Sequence, residues 1–144
     1  MEVLCGPSKG NTWAMSDATS FLRSLAALRD ILTQDSPERD HVISNAYAAN
    51  PWFTPEFTRQ AMQAIAEEFL DEEKCAGWLF SYPTPQTEKT VAIIMAGNLP
   101  MVGFHDLFCT LASGHRAMVK LSEKDNLLLP WITEQWTKEF PQLS

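Results

Sequence analysis

An α/β fold is predicted, with N-terminal helices leading into a β-α-β-α unit whose two strands run parallel. Three observations predict it. Before residue 80 the apolar residues fall at helical spacings behind Ser-Pro and Thr-Pro start signals. After Tyr82-Pro83-Thr84-Pro85 the character changes to two short, β-rich apolar runs. Residues 97 to 116 between those runs are enough for a helical crossover, which parallel strands require and a hairpin does not.

Residues 1–15, with Gly6, Pro7 and Gly10, read as a poorly ordered start. A first helix begins near Ser16 or Asp17, either of which can cap it. Phe21, Leu25, Leu28 and Leu32 share one face. Ser36-Pro37 opens a second helix, with Val42, Ile43, Ala46 and Tyr47 inward and a stop before Pro51. Thr54-Pro55 opens a third, lined by Phe57, Ala61, Ile65 and Phe69 and ending in the acidic run Glu67 to Glu73. These helices, 16–82, form a lead-in that needs no chemistry of its own.

Two prolines at 83 and 85 exclude helix and interior strand alike. Thr90 to Ala96, TVAIIMA, lacks alternation and reads as a strand buried on both faces. Gly97-Asn98 ends it. A crossover helix runs from Pro100 to Ser113, stopped by Gly114. Ala117 to Leu121 is the second strand, and a last helix runs from about Asn126 toward Phe140.

Bulk properties narrow the function. Eleven basic against eighteen acidic residues leave a net charge of −7, which disfavours nucleic acid and anionic membrane as partners. The N-terminus lacks a signal-peptide pattern and no segment reads as a membrane span, so the expected address is the cytoplasm. Three widely spaced cysteines suggest neither a disulfide framework nor a zinc site.

Open parallel sheets bind ligands beyond the carboxyl ends of their strands. Two polar clusters fall there: Gly97-Asn98, and Lys120 with Ser122 and Glu123. Asn98, at a strand-to-helix turn, has an amide suited to an oxygen that gains negative charge. Lys120 suits a ribose or phosphate, and Glu123 suits ribose hydroxyls. Each also has a plainer role: asparagine commonly just turns the chain, a lysine ending a strand is commonly just solvated, and Ser122-Glu123 can simply lead into the next helix.

The stretch from Val91 to Trp131, and above all AGNLPMVGFHD and VKLSEKD within it, resembles the acyl-CoA reductases related to the reductase of bacterial luminescence, in the aldehyde dehydrogenase superfamily. Asn50 to Leu70 resembles their helical lead-in. The resemblance implies a half-Rossmann unit at 83–144, part of an NAD(P)-binding domain. It implies an activity, reduction of an acyl-CoA thioester to an aldehyde with NADPH or NADH through a cysteine thioester. It assigns Asn98 to the oxyanion, and Lys120 and Glu123, in KLSE, to the cofactor ribose; Ser122 falls at the motif's serine. The family's nucleophile lies in a later domain, so this chain is expected to be an incomplete cofactor domain, inactive alone and prone to homo-oligomerise through its uncovered sheet.

No cysteine here is expected to replace that nucleophile. Cys5 lies in the poorly ordered start, Cys75 follows Asp71, Glu72 and Glu73, and Cys109 reads as a small buried hydrophobe. His105 and Asp106 read as a polar edge with no nucleophile in reach, and His115 as a turn residue. Two other classes stand beside the reductase: a non-catalytic interaction module, and an unrelated nucleotide-binding domain. The absence of GxGxxG and GxxxxGK weakens the latter.

Overall fold

The computed structural model describes residues 15–83 and 85–141. The expectations for Cys5 and for the first fourteen residues fall outside that range.

Four helices open the chain: α1 (Met15–Thr33), α2 (Pro37–Ala49), α3 (Pro55–Glu68) and α4 (Glu72–Leu79). Then come β1 (Thr90–Ile94), α5 (Phe104–Ala112), β2 (Arg116–Lys120) and α6 (Leu128–Glu139). Among the described residues, no helix is long and apolar enough to cross a membrane.

Local capping sets the helix starts. Ser36 Oγ accepts from Arg39 N at 3.1 Å and Thr54 Oγ1 from Phe57 N at 3.2 Å, each with proline at the first position. α1 begins earlier than expected, so Ser16 and Asp17 fall inside its first turn. The acidic run is more than a helix end. α3 stops at Glu68, Asp71 accepts from Lys74 N at 2.9 Å, and Glu72 and Glu73 open α4 at its electropositive end. The sequence pattern gave no separate α4.

Two inward faces differ from the pattern. Tyr47 is exposed rather than buried, and α3 is turned by about one residue, burying Thr58, Met62, Ile65 and Ala66 while Phe57 faces out. Thr58 tolerates burial because its hydroxyl donates to Phe53 O at 3.3 Å. A polar residue that finds its acceptor in an adjoining turn cannot be recognised as a core residue by hydropathy.

The core joins the helices to the β-α-β unit. Phe21, fully buried on α1, meets Trp136 on α6 at 5.5 Å between ring centroids, Phe108 on α5 at 5.7 Å and Phe140 at 6.2 Å. Trp136 donates its indole N–H to Ser24 Oγ at 2.9 Å, and Ser24 in turn donates to Phe21 O at 2.6 Å. The one polar tip in this aromatic cluster is thus satisfied.

β1 and β2 pair in parallel with Thr90 opposite Arg116 and Ile94 opposite Lys120. Ile93, Ala117 and Val119 turn to the core, with Val91 half-buried beside them. The other face carries Thr90, Ala92 and Ile94, the last 81% exposed. β1 is therefore covered on one face and not on both. Its lack of alternation reflects apolar residues on the open side, not burial there.

α5 starts at Phe104, not Pro100; residues 100–103 form a turn in which Met101 takes φ 57°. Gly114, with φ 75°, ends the helix as expected, its N–H bonding Leu111 O.

Truncating Phe21 to alanine is expected to cost about 3–5 kcal/mol, because the pocket is shared by three elements. Tyr47→Ala should stay within about 0.5 kcal/mol. Urea unfolding of both variants checks the contrast, and equal losses would contradict this core.

Candidate functional site

Parallel pairing sends both strands out of the sheet on one side. Met95 N bonds Lys120 O at 3.0 Å, so the segments that follow leave together. Immediately beyond, Gly97 lies against Ser122. A Cβ at position 97 would sit 2.2 Å from Ser122 Oγ and 2.7 Å from its Cβ, so the close approach needs glycine.

The second segment folds into a tight turn. Ser122 Oγ accepts from Lys124 N at 3.2 Å, and Asp125 N donates to Ser122 O at 3.2 Å. Asn50, at the end of α2, donates to Lys124 O at 3.2 Å and anchors the turn to the helical half. Asp125 is buried inside it. Its Oδ2 accepts from Met101 N at 2.6 Å, and the Leu128 amide at the start of α6 also bonds the carboxylate. Its Oδ1 is buried without a protein partner. Burial raises the Asp125 carboxyl above 3.8, against the two amide bonds that lower it.

Each residue singled out in the sequence can now be placed. Asn98 and Lys120 stand exposed at the same end of the sheet, with Glu123 exposed in the turn. Among the described residues, none of these three side chains has a hydrogen-bond or ionic partner, so their polar groups are free to meet a ligand. Ser122 is partly committed to its turn. Asn98 does not adjoin a helix N-terminus: the 100–103 turn intervenes, and the Met101 amide is taken by Asp125. At this rim Lys120 offers donors, Glu123 offers acceptors, and Asn98 offers its side-chain amide.

The polar side chains of α5 differ from expectation. Cys109 is only partly buried and lies 3.6 Å from His105 Nε2, one helical turn away. His105 Nδ1 in turn lies 3.5 Å from Asp106 Oδ1. A thiol therefore lies within reach of His105, which the sequence reading did not anticipate, and the i, i+4 spacing was the available signal. Asp125 was overlooked as well, although an acidic residue just ahead of LLLPW is a helix-start signal. His115 Nδ1 accepts from Lys89 N at 3.4 Å, which holds the chain just ahead of β2 against the approach to β1.

The chain matches no family model, no curated protein and no solved structure.

Two predictions follow from the packing of this rim. Gly97→Ala should cost about 1–3 kcal/mol by overpacking, and adding Ser122→Gly should restore most of the loss in urea unfolding. A double variant no more stable than the single one would count against the contact.

The second concerns Asp125. Its folded pKa is raised, so the folded state holds this proton more tightly than the unfolded state does. The contribution to stability is greatest below pH 3.8 and is lost as pH rises through the folded value. Asp125→Asn cannot ionise, so urea midpoints measured across the acid range should lose that part of their slope. A slope identical to that of the unsubstituted chain would contradict the assignment.

Proposed function

We propose that residues 90–125 form the cofactor-facing edge of an NAD(P)H-dependent acyl-CoA reductase, an enzyme that converts an acyl-CoA thioester to an aldehyde. The observation that carries this reading is the parallel register that pairs Ile94 with Lys120. It brings the Gly97-Asn98 and Lys120-to-Glu123 segments to one rim, and the resemblance of AGNLPMVGFHD and VKLSEKD to that reductase family gives the rim its chemistry.

In this proposal Lys120 donates to a ribose or phosphate oxygen and Glu123 accepts from ribose hydroxyls. Ser122 sets the turn that presents them. Asn98 directs its side-chain amide at the oxygen of the reacting carbonyl. The nicotinamide, when bound, supplies hydride. The attack on the thioester is not assigned to Cys75 or Cys109. Cys75 is buried with its thiol pushed up to about 11, and Cys109 sits mid-helix.

A second reading, a non-catalytic interaction module, is favoured by the open sheet face around Ile94. Titration of the full chain with NADH and with NADPH, followed by nicotinamide fluorescence, separates the two. The reductase reading expects saturable binding that Lys120→Ala weakens about tenfold, the value of one charge-assisted hydrogen bond. Asn98→Ala should leave that affinity unchanged. Absence of saturable binding to either nucleotide would favour the module.

A further inference from the structure

We propose that Cys109 is a nucleophile with its own base, and that the cavity beside it admits a small apolar α,β-unsaturated ketone, which the thiol takes up by conjugate addition. The proposal is independent of the reductase reading and concerns different side chains.

The first support is a pair of groups on α5. His105 and Cys109 stand at i and i+4, so they occupy neighbouring turns of one face. The Sγ–Nε2 distance is 3.6 Å. With its ring proton on Nδ1, His105 leaves Nε2 to accept from the thiol. A thiol beside a base within reach of its proton is the general arrangement for activating a weak nucleophile.

The second support is the cavity itself. It encloses about 410 Å³, within the range of small-molecule sites, and both Cys109 and His105 line it. Phe69, Phe108 and Trp78 supply aromatic wall that favours an apolar occupant, and Glu68 and Lys74 also line it. Cys75 lines it too, but no hydrogen-bonding base lies beside it among the described residues, and burial holds its thiol protonated. Burial and, less strongly, the charge of Asp106 likewise keep Cys109 a thiol at rest. Reaction therefore requires a proton acceptor at the moment of attack, and His105 is placed to be one.

The helix decides the type of electrophile. Cys109 lies inside α5, where backbone N–H groups are engaged in helical bonds, such as Ser113 N to Cys109 O at 3.1 Å. Acyl substitution would develop an oxyanion on the attacked carbon and calls for free donors beside Sγ. Conjugate addition instead moves the charge to the enolate oxygen, three bonds from the attacked carbon. In the step, the Sγ–C bond forms at the β-carbon and the C=C π pair shifts toward the carbonyl. The thiol proton passes to His105 Nε2 and then to the α-carbon. Nothing is oxidised and no group leaves.

The test uses the full chain carrying Cys5→Ser, treated with oct-1-en-3-one or but-3-en-2-one, with intact mass and peptide mapping as readouts. One adduct per chain is expected, on Cys109, and absent in Cys109→Ser. The longer ketone should react faster by about fourfold for each methylene that enters the cavity, a preference glutathione does not share. His105→Gln, at an exposed position, should slow the reaction by about tenfold or more with thermal unfolding unchanged. Modification on Cys75 instead, a rate indifferent to His105→Gln, or a chain-length preference no greater than that of glutathione would each overturn the proposal.

Discussion

One buried carboxylate holds the strand-exit end of the β-α-β unit in shape. Asp125 takes the Met101 amide from the segment after β1 and the Leu128 amide from the start of α6, while its own N–H closes the turn on Ser122. Two segments far apart in the chain are thereby fixed to one point. The bond also accounts for a backbone feature: Met101 adopts φ 57°, a region costly for a side chain of its size, and its amide is the one Asp125 holds at 2.6 Å. Burying a carboxylate with one oxygen unmatched is expensive, which is why its proton affinity rises.

The aromatic cluster around Phe21 gives this arrangement a rigid base. It presses α1 against α5 and α6, and α5 packs in turn on the two-stranded sheet, so the helical half reaches the sheet through α5. The rim beyond the strands is thereby steadied from below. Asn50 adds a link from the side, tying the end of α2 to the turn that carries Glu123 and Lys124.

The two chemical features of the molecule use opposite environments. At the sheet rim, Asn98, Lys120 and Glu123 stand in solvent, where charged donors and acceptors can exchange water for the polar edge of a ligand. Beside α5, Cys109 and His105 line an apolar cavity in which a neutral electrophile loses little on leaving water.

What the sequence alone determined was whatever is settled within about four residues, or by chain length. Ser36 and Thr54 cap because their oxygens reach an amide three residues on, and Gly114 ends α5 because it takes a positive φ without strain. The interval between the apolar runs allowed a crossover and so a parallel pair, which placed Asn98 and Lys120 at one end of the sheet. Tertiary structure decided the rest. Whether Tyr47, Phe57 or Ile94 is buried depends on which element arrives opposite, and hydropathy cannot report that. The start of α5 moved from Pro100 to Phe104 because Met101 takes φ 57°, outside the helical region, in a turn that a carboxylate twenty-four residues later holds. The Cys109–His105 contact was in principle legible, since helix geometry alone brings i and i+4 together. The cavity beside the pair was not, because its walls come from three separate helices.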